Sequence, residues 1–146
     1  MAIASPPLPR GFDRPPIGCD SGHEQTLDLA WSYLASACAA IAKSKECNSD
    51  QPEINFIRTV LIKAAEHSSP LPEANQNLDE HASWGSPAAR IEAAEGIMSL
   101  ASKSTSSGDE LLPVIERLAT DPAWPVRFQV ATRLVSLYHT APDLMW

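Results

Sequence analysis

The sequence predicts an all-α protein of about five helices paired into antiparallel hairpins. Three observations carry that expectation. Apolar residues recur at helical spacing in five stretches, each bounded by turn residues. One stretch occurs twice without a gap: Ala89 to Leu100, ARIEAAEGIMSL, aligns with Val126 to Leu137, VRFQVATRLVSL, 37 residues on. Repetition on that scale belongs to helical arrays. Hydrophobic residues make up 44% of the chain but aromatics only 6%, with alanine filling much of the difference. Small side chains let neighbouring helices approach closely.

The first 20 residues carry five prolines and almost no periodicity, and read as a flexible lead-in to a helical-repeat domain over 21–146. A proline-rich docking peptide in PPLPRGF is the weaker alternative. Ser21 and Glu24 then form a capping box. The first helix has an apolar stripe of Leu27, Trp31, Leu34, Cys38 and Ile41, at steps of four, three, four and three. Lys43 and Lys45 stand near its C-terminal end, where the helix dipole favours positive charge.

Asp50 is the expected N-cap of a second helix, with Glu53 three residues on. Ile54, Ile57, Leu61 and Ala64 form its stripe, widened by Phe56 and Val60, and it ends near His67 because Pro70 and Pro72 follow. Residues 68–85 form an acidic, proline-containing loop of a length usually functional or disordered. Ser86 caps the third helix, with Pro87 in its first turn, and the helix runs to about Ala101. Ser107 and Glu110 open a fourth helix carrying Leu111, Leu112, Ile115, Leu118 and Ala119. Asp121 to Tyr138 is a turn and a fifth helix, with Pro125 in the first turn and Val126, Val130, Leu134, Leu137 and Tyr138 on the apolar side.

Helices two and four also align, Val60 to Ala65 with Val114 to Ala119, but 54 residues apart. The 17-residue excess falls in the 68–85 loop, so two hairpins are expected, the first with an insertion at its turn. The first helix flanks that hairpin. Leu61, Ile97, Ile115 and Leu134 are expected out of water.

The residues Asp121, Val126, Arg127, Val130, Ala131 and Leu134 resemble the second half of a HEAT repeat, with its Asp in the turn and Val-Arg opening the inner helix. Leu111 to Ala119 is similar to that family's first helix. The resemblance is good over 109–138 and weaker over 54–101, where Trp84 stands in place of the turn Asp and Ala89 in place of Val126. It implies a HEAT-like, armadillo-like right-handed α-solenoid in which Arg90 and Arg127, at equivalent positions, brace the turn Asp121 of their own or a neighbouring repeat. Thr140 to Trp146 reads as the start of another helix, so an N-terminal piece of a longer array is one expectation. A tail folded back over the last hairpin is the other.

Composition narrows function. With a net charge of −7 the molecule repels phosphate backbones, which disfavours nucleic acid as a partner. Three cysteines at irregular spacing give no disulfide framework. No signal peptide opens the sequence and no apolar run reaches the roughly 18 residues of a membrane span, so a cytoplasmic protein is expected. Cys19, His23, Cys38 and Cys47 lack the spacing of a zinc module, and a buried free thiol is the ordinary reading of Cys38. A Cys19–His23 nucleophile pair would lack an orienting third group. Among Glu73, Asp79, Glu80, Glu92 and Glu95, the last two share one helical face and read as a solvated surface. No Gly-rich phosphate loop or nucleophile elbow occurs.

The expected function is a non-catalytic scaffold mediating protein–protein interaction, without cofactor or metal. Trp84, Trp124, Asp79 and Glu80 are its candidate partner contacts, the tryptophans serving otherwise as lids over the helix ends. Self-association through the exposed edge of the C-terminal repeat is a further expectation. The alternative class is an accessory or regulatory domain of a larger enzyme, or a HEAT-like DNA-base-excision or lyase-type enzyme.

Overall fold

The computed structural model describes residues 21–48, 51–72, 87–104, 108–140 and 142. Among them are five α-helices and no strand: α1 Ser21–Lys43, α2 Ile54–Ala64, α3 Ala89–Ala101, α4 Gly108–Ala119 and α5 Trp124–Arg133, the last continued by a 3-10 helix over Leu134–Leu137. The single core joins all of them. Leu61, Ile97 and Ile115 are fully buried in it, and Leu134 packs partly buried against it.

The first helix forms where the sequence predicts one, but it is rotated about its axis relative to the expected stripe. Leu27, Leu34 and Ile41 are 60%, 41% and 48% exposed, and only Cys38 of the expected stripe is buried. The face turned inward is instead Ser32, Ala35, Cys38, Ala39 and Ala42. The reason is closeness of backbone. α1 packs chiefly on α3 and less on α2. A Cβ placed on Gly96 of α3 would lie 3.1 Å from Ala39 Cα and 2.8 Å from both methyl carbons of Leu61. Two helices that near each other have no room for leucine between them, so the small residues take the contact and the large ones turn out.

α3 is the centre of the molecule and packs against α1, α2, α4 and α5. A helix enclosed on all sides needs apolar or small residues all round, and Ala89, Ile91, Ala93, Ala94, Ile97, Met98, Leu100 and Ala101 meet that need. Its polar residues are enclosed too. Glu92 is buried, and Glu95 accepts from Lys43 of α1 at 3.0 Å and from Arg133 of α5. The solvated face expected for Glu92 and Glu95 is therefore replaced by a carboxylate that ties three helices together.

Other departures are local. Phe56 is 69% exposed and does not widen the α2 stripe; Ala119 and Tyr138 also face out. α3 starts at Ala89, two residues after Pro87, following an extended Ala88 with no side-chain cap. Its Arg90 N–H donates instead to Ser69 O at 3.1 Å, so the cap comes from the chain leaving α2. Pro125 occupies the first turn of α5 as expected. The lead-in 1–20, the loop residues 73–86, Asp50 and Ser107 lie outside the described residues.

Candidate interaction site

The turns after α2 and α4 meet around one arginine. Arg90, in the first turn of α3, donates from one terminal nitrogen to His67 O at 2.6 Å and Ser68 O at 2.8 Å. The other donates to Pro70 O at 2.6 Å and Asp121 Oδ1 at 3.3 Å. Nε lies 2.9 Å from Asp121 Oδ2, an ion-pair contact whose N–H is not aligned for a hydrogen bond. Asp121 Oδ1 in turn accepts the Ala123 N–H at 2.8 Å, just ahead of α5. Both side chains are about nine-tenths buried. Arg127, at the equivalent place in α5, donates to the carbonyls of Asp121 and Pro122. Each arginine thus holds the turn before its own helix, and Arg90 also reaches the carboxylate of the next turn. Both terminal nitrogens of Arg90 are thus spent on protein oxygens, and Nε is buried against Asp121.

Two clefts open beside this junction. One, of about 360 Å³, is lined by Ala65, Glu66, His67, Arg90, Arg117, Thr120, Asp121 and Pro122. Arg117 and Glu66 pair across its rim at 3.2 Å, both well exposed. The other, of about 370 Å³, is lined by Leu27, Asp28, Trp31, His67 and Ser68. His67 separates the two. Its Nε2 stands 3.4 Å from Asp28 Oδ1, its Nδ1 accepts the Ser69 N–H at 3.2 Å, and its ring tilts against Trp31 at 6.1 Å. An Asp–His pair can serve general-base chemistry only with a nitrogen lone pair aimed at substrate. Here both nitrogens are engaged within the protein, which makes the pair a fastening between α1 and the α2 turn. Nothing in the spacing of Asp28, Trp31 and His67 signals this grouping, because it joins residues about 40 apart across two elements.

Several large apolar side chains are exposed along α5 and its 3-10 continuation. Trp124 is half-buried and meets Phe128 edge-on at 5.9 Å. Phe128, and beyond α5 Val135 and Tyr138, are 39%, 72% and 54% exposed. Val126 and Val130 of α5 and Leu137 of the 3-10 helix are buried.

Comparison with protein-family models, curated proteins and solved structures finds no match.

Of the other residues singled out in the sequence, Trp84, Asp79, Glu80, Glu73 and Cys19 lie outside the described residues, as does the side chain of His23. Cys38 and Cys47 are buried free thiols, and burial raises the Cys38 pKa above its ordinary value. Among the described residues no three metal-ligating side chains gather, and no helix is long and apolar enough to cross a membrane.

Proposed function

We propose that this chain is a HEAT-like helical scaffold whose job is to hold a protein partner. In this reading α2–α3 and α4–α5 are successive hairpins, and the partner docks along α5. The observation that carries it is the exposure of Phe128, Val135 and Tyr138 along α5 and its 3-10 continuation, with half-buried Trp124 edge-on to Phe128, while Val126, Val130 and Leu137 of the same stretch are buried. Aromatic side chains on a rigid helix are the groups that dominate protein recognition, and most binding energy comes from a few of them.

Two further features support the hairpin reading. α3 lies against α5, as inner helices of adjacent repeats do, and the equivalent arginines perform the same task on successive turns. The engagement of both His67 nitrogens argues for binding over acid–base chemistry.

The test is affinity capture from an extract of the native cell with the immobilised full chain, followed by mass spectrometry. Phe128→Ala and Val135→Glu should each lose the captured protein while shifting stability by no more than about 0.5 kcal/mol, as exposed positions allow. Capture that survives both substitutions sinks the proposal.

A further inference from the structure

The outward face of α1 carries a regular stripe of its own. Leu27, Ala30, Leu34, Ala37 and Ile41 are all exposed, and they follow one another at steps of three, four, three and four. That is a heptad spacing, with a large residue at each first position and alanine at each fourth. A repeat of 3.5 residues keeps a seam facing a second helix that runs alongside, and a loop or extended peptide has no use for it. From Leu29 to Ala42 the helix carries no charged residue at all, in a chain of net charge −7. The stripe is therefore where another copy, equally acidic, meets the least repulsion.

We propose that α1 pairs with α1 of a second copy, antiparallel, about a two-fold axis between Ala35 and Ser36. The choice of orientation rests on size. In antiparallel seams the first and fourth heptad positions face each other, so Leu34 meets Ala37 of the second copy and Ile41 meets its Ala30. Each large side chain then fills the space above an alanine. A parallel pair would set Leu34 against Leu34 and Ala37 against Ala37, alternately crowded and hollow. A two-fold contact needs such self-complementarity, and this stripe has it. The pairing is independent of the proposed partner surface, because it uses α1 and leaves α5 free.

One helix pair with a seam of about 20 Å falls below the ~1,200 Å² of stable complexes, so the dimer is weak, with a Kd on the order of 10–100 µM. Sedimentation equilibrium of the full chain from about 1 to 500 µM should show monomer passing into dimer across that range. Leu34→Lys, at an exposed position, should leave thermal melting unchanged and hold the chain monomeric. Because the lysine lowers the net negative charge, simple relief of repulsion would strengthen association instead. Val135→Glu should dimerise as the wild type does. In an oxidised equimolar mixture of Ala30→Cys and Ile41→Cys chains, the 30-to-41 cross-link should exceed 30-to-30 by well over the statistical excess of mixed over like pairs. A chain monomeric throughout, a dimer broken by Val135→Glu and not by Leu34→Lys, or a dominant 30-to-30 link would each overturn the proposal.

Discussion

Arg90 and Asp121 illustrate how much one buried pair can determine. Taking either charge out of water is costly, and the pair is tolerated because carbonyls of His67, Ser68 and Pro70 also accept from the guanidinium. Removing one partner leaves the other stranded. Asp121→Ala should therefore lose about 3–4 kcal/mol in urea unfolding. Arg127→Ala should lose about 1 kcal/mol, since Arg127 is exposed and bonds only carbonyls of its own turn. Equal losses would mean that the ion pair is no more than a surface contact. Cys38 supplies a pH dependence. Its thiol pKa is raised by burial, so folding favours the neutral form. Its contribution is whole below the unfolded thiol's pKa and disappears as pH rises through the folded value. The drop in urea midpoint between about pH 8 and pH 10 should thus be smaller in Cys38→Ala than in wild type. An identical drop would leave Cys38 without a part in it.

At the scale of the helix, the α1–α3 contact is set by Gly96. Alanine ordinarily stabilises a helix interior by up to about 1 kcal/mol over glycine. Here the added methyl meets Leu61 at 2.8 Å, where a flexible side chain can yield, and Ala39 Cα at 3.1 Å, where backbone cannot. Gly96→Ala should consequently be destabilising by about 1–3 kcal/mol, seen as a melting temperature lowered by several degrees. A rise in melting temperature would show that the helices part without cost. The same closeness explains what could be read from the sequence and what could not. Five helices, their order and the Val126, Val130, Leu61 and Ile97 core were legible, because large apolar residues at helical spacing do face inward there. The face of α1 was not legible, because a periodicity reading follows the largest side chains and this contact selects the smallest. Glu92 and Glu95 misled in the opposite direction: charge on a helix marks solvent only when the helix has a solvent face, and α3 is surrounded. At the candidate site, Arg90 and Arg127 stood out through the resemblance to HEAT turns, which implies that they brace Asp121. His67, Asp28 and Trp31 did not, since their meeting depends on how α1 lies across the first hairpin.

Across the whole molecule, Glu95 links α1, α3 and α5 through Lys43 and Arg133. Both cations are partly exposed, which limits each pair to about 1 kcal/mol or less and makes it sensitive to salt. Glu95→Gln should lower stability by about 1 kcal/mol in dilute buffer, with the difference shrinking at about 1 M salt. A loss indifferent to salt would point to packing as the cause.

The position of α3 has a consequence for how the chain comes apart. Linear repeat arrays unravel from their ends, one unit at a time, because each unit touches only its neighbours. Here every other helix leans on one hub, so loosening any of them exposes part of the hub's perimeter to water. Unfolding should then be a single all-or-none event, with α3 amides exchanging hydrogen only when the entire domain opens.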